Sequence, residues 1–197
     1  VGAGAGQAPS GAQIVDATNK FVTPGLIDTH SHIGVYPVPE VVAHSDGNEA
    51  TAPVTAQVWS LDSFWPQDPA IERAVAGGVT TIQALPGSAN LIGGRAVTLK
   101  LRHAATAHQM RLLGAPDGLK MACGENPKRV YGERKQLPST RMGSIAAQRA
   151  AFHEARRLID EWKTWRQGEE KRLNDFAEAR AKVAGERRQP ALRTAWC

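Results

Sequence analysis

The stretch Pro24-Gly25-Leu26-Ile27-Asp28-Thr29-His30-Ser31-His32 constrains this chain more than any other, because an apolar strand ends there in two histidines one residue apart. Side chains alternate faces along a strand, so His30 and His32 are expected on one side, about 6 to 7 Å apart along the backbone. Two imidazoles so placed can reach one metal ion. Pro24 and Gly25 break the chain before the strand, and Leu26 and Ile27 give it an expected buried apolar entry, which puts the histidines near the carboxyl end. A bare H-x-H is more often an ordinary strand end with two surface histidines; the Pro-Gly-Leu-Ile-Asp prefix reverses that balance.

With that prefix the pattern resembles the amidohydrolase superfamily. The run Ala12 to Gly25 is similar to the return from a small β domain into the first barrel strand of those enzymes. Gly78-Val-Thr-Thr-Ile-Gln-Ala-Leu-Pro-Gly87 through Gly94, and Gly118-Leu-Lys-Met-Ala-Cys-Gly-Glu-Asn-Pro through Gly132, resemble the imidazolonepropionase-related branch, so the likeness spans residues 11 to 165. It implies an α/β fold, the metal-dependent-hydrolase (β/α)8 barrel of TIM type. It also implies a hydrolase acting on carbon–nitrogen bonds other than peptide bonds, using water activated by one or two divalent ions, with Zn2+ the first choice. Besides the H-x-H pair, the resemblance implies a lysine carbamate or carboxylate from a middle strand, two later histidines and a late aspartate. Two residues compete for the middle position. Lys120 resembles the lysine carboxylated in many members, and Glu125 the glutamate used by others; Glu125 is preferred because it falls just past the strand end beside Gly124. The plainer alternatives are a barrel lysine paired to a carboxylate and a loop acid capping the next turn.

Length restricts this reading. A complete barrel needs about 250 residues, and the chain has 197. The expectation is a partial barrel: a remnant of the small β domain over 1–22, the first half of the barrel over 23–187 with a long helical segment at 144–186, and a disordered tail at 188–197. After residue 132 the sole histidine is His153, on the helical segment, so no late His-His-Asp set follows and an incomplete site, inactive alone, is expected. The start at Val1 shows no export signal, no run of about 20 apolar residues spans a membrane, and the location of a parent protein stays open.

Charge is unevenly placed. The net +5 divides into −4 over residues 1–100 and +9 over 101–197. Many of the later cations sit beside acids in a helical region, which reads as solvated helix surface rather than a nucleic-acid face. No nucleic-acid partner is therefore expected, and the resemblance implies a small-molecule amide or cyclic imide as substrate; a homo-oligomer is left open, and a noncatalytic binding or assembly role for the basic helical half is the alternative. Two cysteines, Cys123 and Cys197, suggest neither a disulfide framework nor a thiolate zinc site.

Gln13-Ile14-Val15 reads as a short strand, Asp68 as the cap of a helix with Pro69 at its first position, and Val79 to Leu85 and Ala96 to Arg102 as strands. Ile145, Gln148, Phe152, Ala155, Leu158, Ile159, Trp162 and Trp165 recur at helical steps. Leu173, Phe176, Ala177 and Val183 continue the stripe beyond Gly168, where a break is expected. Small residues at 86–95 let backbone approach a ligand, so Ser88, Asn90 and Arg95 are candidates to orient substrate. His44, on the long loop after the first strand, is a further substrate candidate, though solvated loop histidines are commoner. His103, His108 and His153 are assigned no ligand role, and Gly2 to Gly6 lacks the preceding strand a phosphate loop requires. Open strand edges and an uncovered stripe would promote association of the isolated chain.

Overall fold

The computed structural model describes residues 8–186. The expected disordered tail at 188–197 lies outside the described residues, as do Gly2 to Gly6 and Cys197. The chain divides into two compact units: Val1–Glu49, Ala56–Gly87 and Gly94–Lys120 form the first, and Ala50–Thr55, Ser88–Gly93 and Met121–Cys197 the second. In chain order the elements are β1 (Leu26–Ser31), a 3-10 turn (Val42–His44), α1 (Ser60–Ser63), α2 (Ala70–Ala76), β2 (Val79–Ala84), β3 (Ile92–Arg95), β4 (Val97–Lys100), α3 (Ala107–Met110), β5 (Leu119–Met121), α4 (Glu125–Gly132) and α5 (Arg141–Glu186). Gln13 to Val15 is not a strand, and Ile14 and Val15 are exposed. A lone short segment has no ladder to satisfy its backbone.

In the first unit β1 and β2 run parallel, joined through α2, which is the crossover that parallel pairing demands. Ile82 and Ala84 of β2 stand opposite Leu99 and Val97 of β4. These four side chains are wholly buried, and Leu61, Phe64, Ile71 and Met110 close over them. Period-two alternation thus builds the core from one sheet face, while Thr81 on the other accepts a hydrogen bond from Lys100 Nζ at 2.8 Å.

The chain is α/β, but its strands do not form the expected half of a parallel barrel. β4 is antiparallel to β2, the sheet order is β1-β2-β4, β3 and β5 make a separate pair, and no barrel closes among the described residues. The connection Leu85–Ala96 contains no helix to carry a parallel crossover. It contains β3 instead, where the glycines had suggested only loop. The buried entry expected at Leu26 and Ile27 is also absent: they are 59% and 67% exposed, because β1 lies at the sheet edge and no layer covers this end among the described residues.

Asp68 does more than cap. Its side chain is buried and accepts from Ala70 N at 2.9 Å, Gly34 N at 2.9 Å and Val38 N at 3.2 Å, so one carboxylate starts α2 and pins the loop after β1. Gly34 has φ +80°, and a Cβ there would come within 2.5 Å of the Phe64 ring. Only glycine fits that turn without strain.

The second unit is centred on a buried polar network. Asn90 Nδ2 donates to Thr55 Oγ1 at 2.7 Å, Thr55 Oγ1 donates to the Ile92 carbonyl at 3.2 Å, and the Tyr131 hydroxyl lies 2.6 Å from Asn90 Oδ1 and 2.7 Å from the Ala52 carbonyl. The hydroxyl's single proton is shared between a buried acceptor, Asn90 Oδ1, and a partly buried one, the Ala52 carbonyl. Tyr131→Phe is expected to lower stability by about 1–3 kcal/mol in urea unfolding, and an unchanged midpoint would show that the hydroxyl contributes only shape.

Helix α5 is capped by Thr140, whose Oγ1 accepts from Gly143 N at 3.0 Å. Its first turns pack in the second unit, with Ser144 buried and Gln148 Nε2 donating to the Ala122 and Leu91 carbonyls at 3.2 and 3.4 Å. It then continues unbroken to Glu186. The expected break at Gly168 does not occur: a single helical glycine costs about 1 kcal/mol against alanine, little against the cooperativity of a 46-residue helix. No described helix is long and apolar enough to cross a membrane.

Candidate functional site

Strand β1 is irregular where its histidines emerge. Asp28 pairs with Ile82 and Ser31 with Ala84, so β1 spends one more residue than β2 over this interval. Such a bulge re-aims side chains. The strand ends at Ser31, one residue short of His32, so simple alternation does not describe the pair. The two imidazoles nevertheless lie edge to face with ring centroids 5.3 Å apart.

Each histidine is oriented by a neighbour. His32 Nδ1 is 2.9 Å from the Leu85 carbonyl, an acceptor only, so Nδ1 carries the proton and the Nε2 lone pair is left for another partner. The same Leu85 donates its N–H to the Ser31 carbonyl at 2.9 Å, which ties the end of β1 to the residue after β2. His30 Nε2 lies 3.4 Å from Lys120 Nζ, ninety positions along the chain, and His30 N donates to Asp28 Oδ1 at 3.0 Å. Lys120 is only 7% exposed. Burial pushes its ammonium below the ordinary lysine range, and burial also pushes His32 below the ordinary imidazole range against the opposing effect of the Leu85 carbonyl. Both shifts favour the neutral forms, which are the ones that carry a lone pair.

One wall of this site was not expected from the sequence. Tyr36 stands edge to face against His32 with centroids 5.6 Å apart, and its hydroxyl accepts a short hydrogen bond from Asn48 Nδ2. Burial raises the phenol above its ordinary value. Gly87 N donates to the Gly47 carbonyl at 2.6 Å, and a Cβ on Gly87 would lie 2.4 Å from the Tyr36 hydroxyl. The Pro86-Gly87 turn is therefore small because the Tyr36–Asn48 pair occupies the space a side chain would need. No periodic pattern marks Tyr36; its only local signal is the Gly34 turn that returns its N–H to the His32 carbonyl at 3.0 Å.

The other expected site residues are engaged elsewhere. Glu125, at the start of α4 in the second unit, is exposed and pairs with Arg129 at 2.8 Å. Ser88 accepts from Asn126 Nδ2 at 2.6 Å, and Asn90 belongs to the buried network around Tyr131. The Arg95 guanidinium lies over the Trp59 ring at 4.5 Å, with Arg111 at 4.8 Å from the same centroid. The His44 ring lies 4.8 Å from that of Trp65, tilted by 45°. Among the described residues no group of three or more His, Cys, Asp or Glu could hold a metal. The cluster at the end of β1 is thus two imidazoles and one buried amine.

The family question is decided by two likenesses that reach across most of the chain. An amidohydrolase named tasK from Hapsidospora irregularis is 42% identical over 172 residues, 80% of this chain and 17% of that protein. The crystal structure of an amidohydrolase from Thermotoga maritima MSB8 is 50% identical and matches with a TM-score of 0.75 over 82% of this chain and 42% of its own. The chain belongs to the amidohydrolase superfamily. It spans less than half the length of either amidohydrolase, and no family model matches it.

Proposed function

We propose that this chain carries the first ligand cluster of a metal-dependent amidohydrolase, with His30, His32 and Lys120 holding a divalent ion, Zn2+ in the first instance. The observation that carries the reading is the meeting of Lys120 Nζ and His30 Nε2 at 3.4 Å, beside a His32 whose tautomer is set by Leu85. These donors fit such an ion: two imidazoles offer ring nitrogens, and the carbonyl on His32 Nδ1 is the kind of acceptor found behind metal-binding histidines. A neutral Lys120 amine can add to CO2, forming a nitrogen–carbon bond and releasing one proton, which would supply the anionic oxygens the cluster lacks. Preference for the middle position accordingly moves from Glu125 to Lys120. The bound ion would supply Lewis acidity, polarising a carbonyl and acidifying water for attack at a carbon–nitrogen bond. Tyr36 and Asn48 would line the approach beside His32. A TIM-type barrel in the longer protein, a small amide or cyclic imide substrate and the imidazolonepropionase-related branch rest on the motif resemblance, supported by the parallel β1–α2–β2 unit.

The choice between Lys120 and Glu125 has a direct test. With 13C-bicarbonate and Zn2+ present, the chain is expected to show a carbamate carbon resonance that disappears in Lys120→Arg and persists in Glu125→Gln. Zinc affinity should fall about 10- to 100-fold or more in the first variant and hold in the second. The reverse ranking would return the role to Glu125.

A further inference from the structure

Beyond Ala151 every described side chain of helix α5 except Glu169 is exposed, including Phe152, Ile159, Trp162, Leu173, Phe176 and Val183. These six fall on a strict seven-residue repeat. Phe152, Ile159, Arg166, Leu173 and Arg180 are spaced by seven, and so are Ala155, Trp162, Glu169, Phe176 and Val183, three residues behind. A seam repeating every 3.5 residues is the requirement for pairing with another helix of the same repeat. Its centre carries one cation and one anion.

That central pair selects both the partner and its direction. We infer that α5 pairs with α5 of a second copy of this chain in an antiparallel two-stranded coiled coil. When Arg166 of each copy is set opposite Glu169 of the other, the rest of the register follows without freedom: Trp162 meets Leu173, Ile159 meets Phe176, and Phe152 meets Val183. Arg180 falls opposite Ala155 near the end of the seam, where its stem can lie over the small residue and its charge reach water. The flanking positions agree, with Lys163 beside Glu170 and Trp165 beside Arg172 of the opposite copy, an ion pair and a cation–aromatic contact. A parallel pair would instead stack Arg166 on Arg166, Glu169 on Glu169 and Arg180 on Arg180. Like charges in a seam oppose that arrangement. Glu169 is paired with Arg172 in its own helix, a partly exposed i,i+3 contact weak enough to be exchanged. The paired segment of about 32 residues would be about 47 Å long.

The test is the oligomeric state of the 197-residue chain by light scattering and sedimentation. The wild type is expected at twice its 21.1 kDa mass. R166E places glutamate opposite Glu169 at both crossings and should raise the dimer dissociation constant about 100-fold or more, with far-UV helicity showing that the chain remains folded. R166E/E169R restores the opposite charges and should restore the dimer. A parallel coil would respond differently, since there the single variant only exchanges one like-charged layer for another. A monomeric wild type at about 100 µM would overturn the proposal and give the seam to further polypeptide of a longer protein or to a different partner. A dimer untouched by R166E would overturn it equally.

Discussion

Zinc or cobalt titrated into the chain should bind at a site that His30→Ala and His32→Ala each abolish. Loss of a partner behind a metal-binding histidine already costs about 10- to 100-fold in affinity, so loss of a ligand itself should exceed about 100-fold. The geometry makes the two variants informative in different ways. His32 is anchored through Nδ1 to the Leu85 carbonyl, and that anchor ties the end of β1 to the turn after β2. His30 instead faces Lys120. His30→Ala should therefore remove the ion while leaving the thermal melt nearly unchanged, whereas His32→Ala should also lower the melting temperature by a few degrees. Cobalt absorption near the visible d–d bands reads the site, and circular dichroism reads the fold. Tight stoichiometric binding in the double variant would refute the assignment of the pair.

How far the sequence foretold this molecule varies with the range of the interactions involved. Val79 to Ala84 and Val97 to Lys100 were legible because period-two alternation is local and the core uses it directly through Ile82, Ala84, Val97 and Leu99. The long helix was legible for the same reason. β3 was not, since Gly93 and Gly94 erase the local strand signal and pairing with β5, more than twenty positions later, supplies it. The antiparallel run of β4 was hidden because a parallel barrel was carried over whole from the resemblance, while direction depends on what a short connection can span. Within the site, the H-x-H spacing announced the two histidines, but no spacing could show that Lys120 approaches His30 or that Tyr36 and Asn48 wall the turn. A polar residue among glycines suggested ligand contact at Asn90, and local sequence could not show that its side chain joins the Thr55–Tyr131 network.

The largest stability effect is expected at Asp68, a residue whose capping role was read from Asp68-Pro69 and whose second role was not. Its carboxylate accepts three backbone N–H groups, and two of them, from Gly34 and Val38, belong to the loop that follows His32. Asp68→Ala would cost a helix cap, about 1 kcal/mol. It would also leave the buried Gly34 N–H and the partly buried Val38 N–H without their acceptor, for a total of about 3–4 kcal/mol. For a domain of this size that is about 10 °C in melting temperature. Asp68→Asn keeps one acceptor oxygen and should lose about half as much. Because the loop carries Tyr36 between the two pinned residues, Asp68→Ala should also weaken metal binding while His30, His32 and Lys120 are all intact. Thermal unfolding and cobalt titration on the same samples separate the effects. A variant that melts like the wild type would mean that water replaces the carboxylate at all three donors, and the loop would then owe its position to the Gly34–Phe64 packing alone.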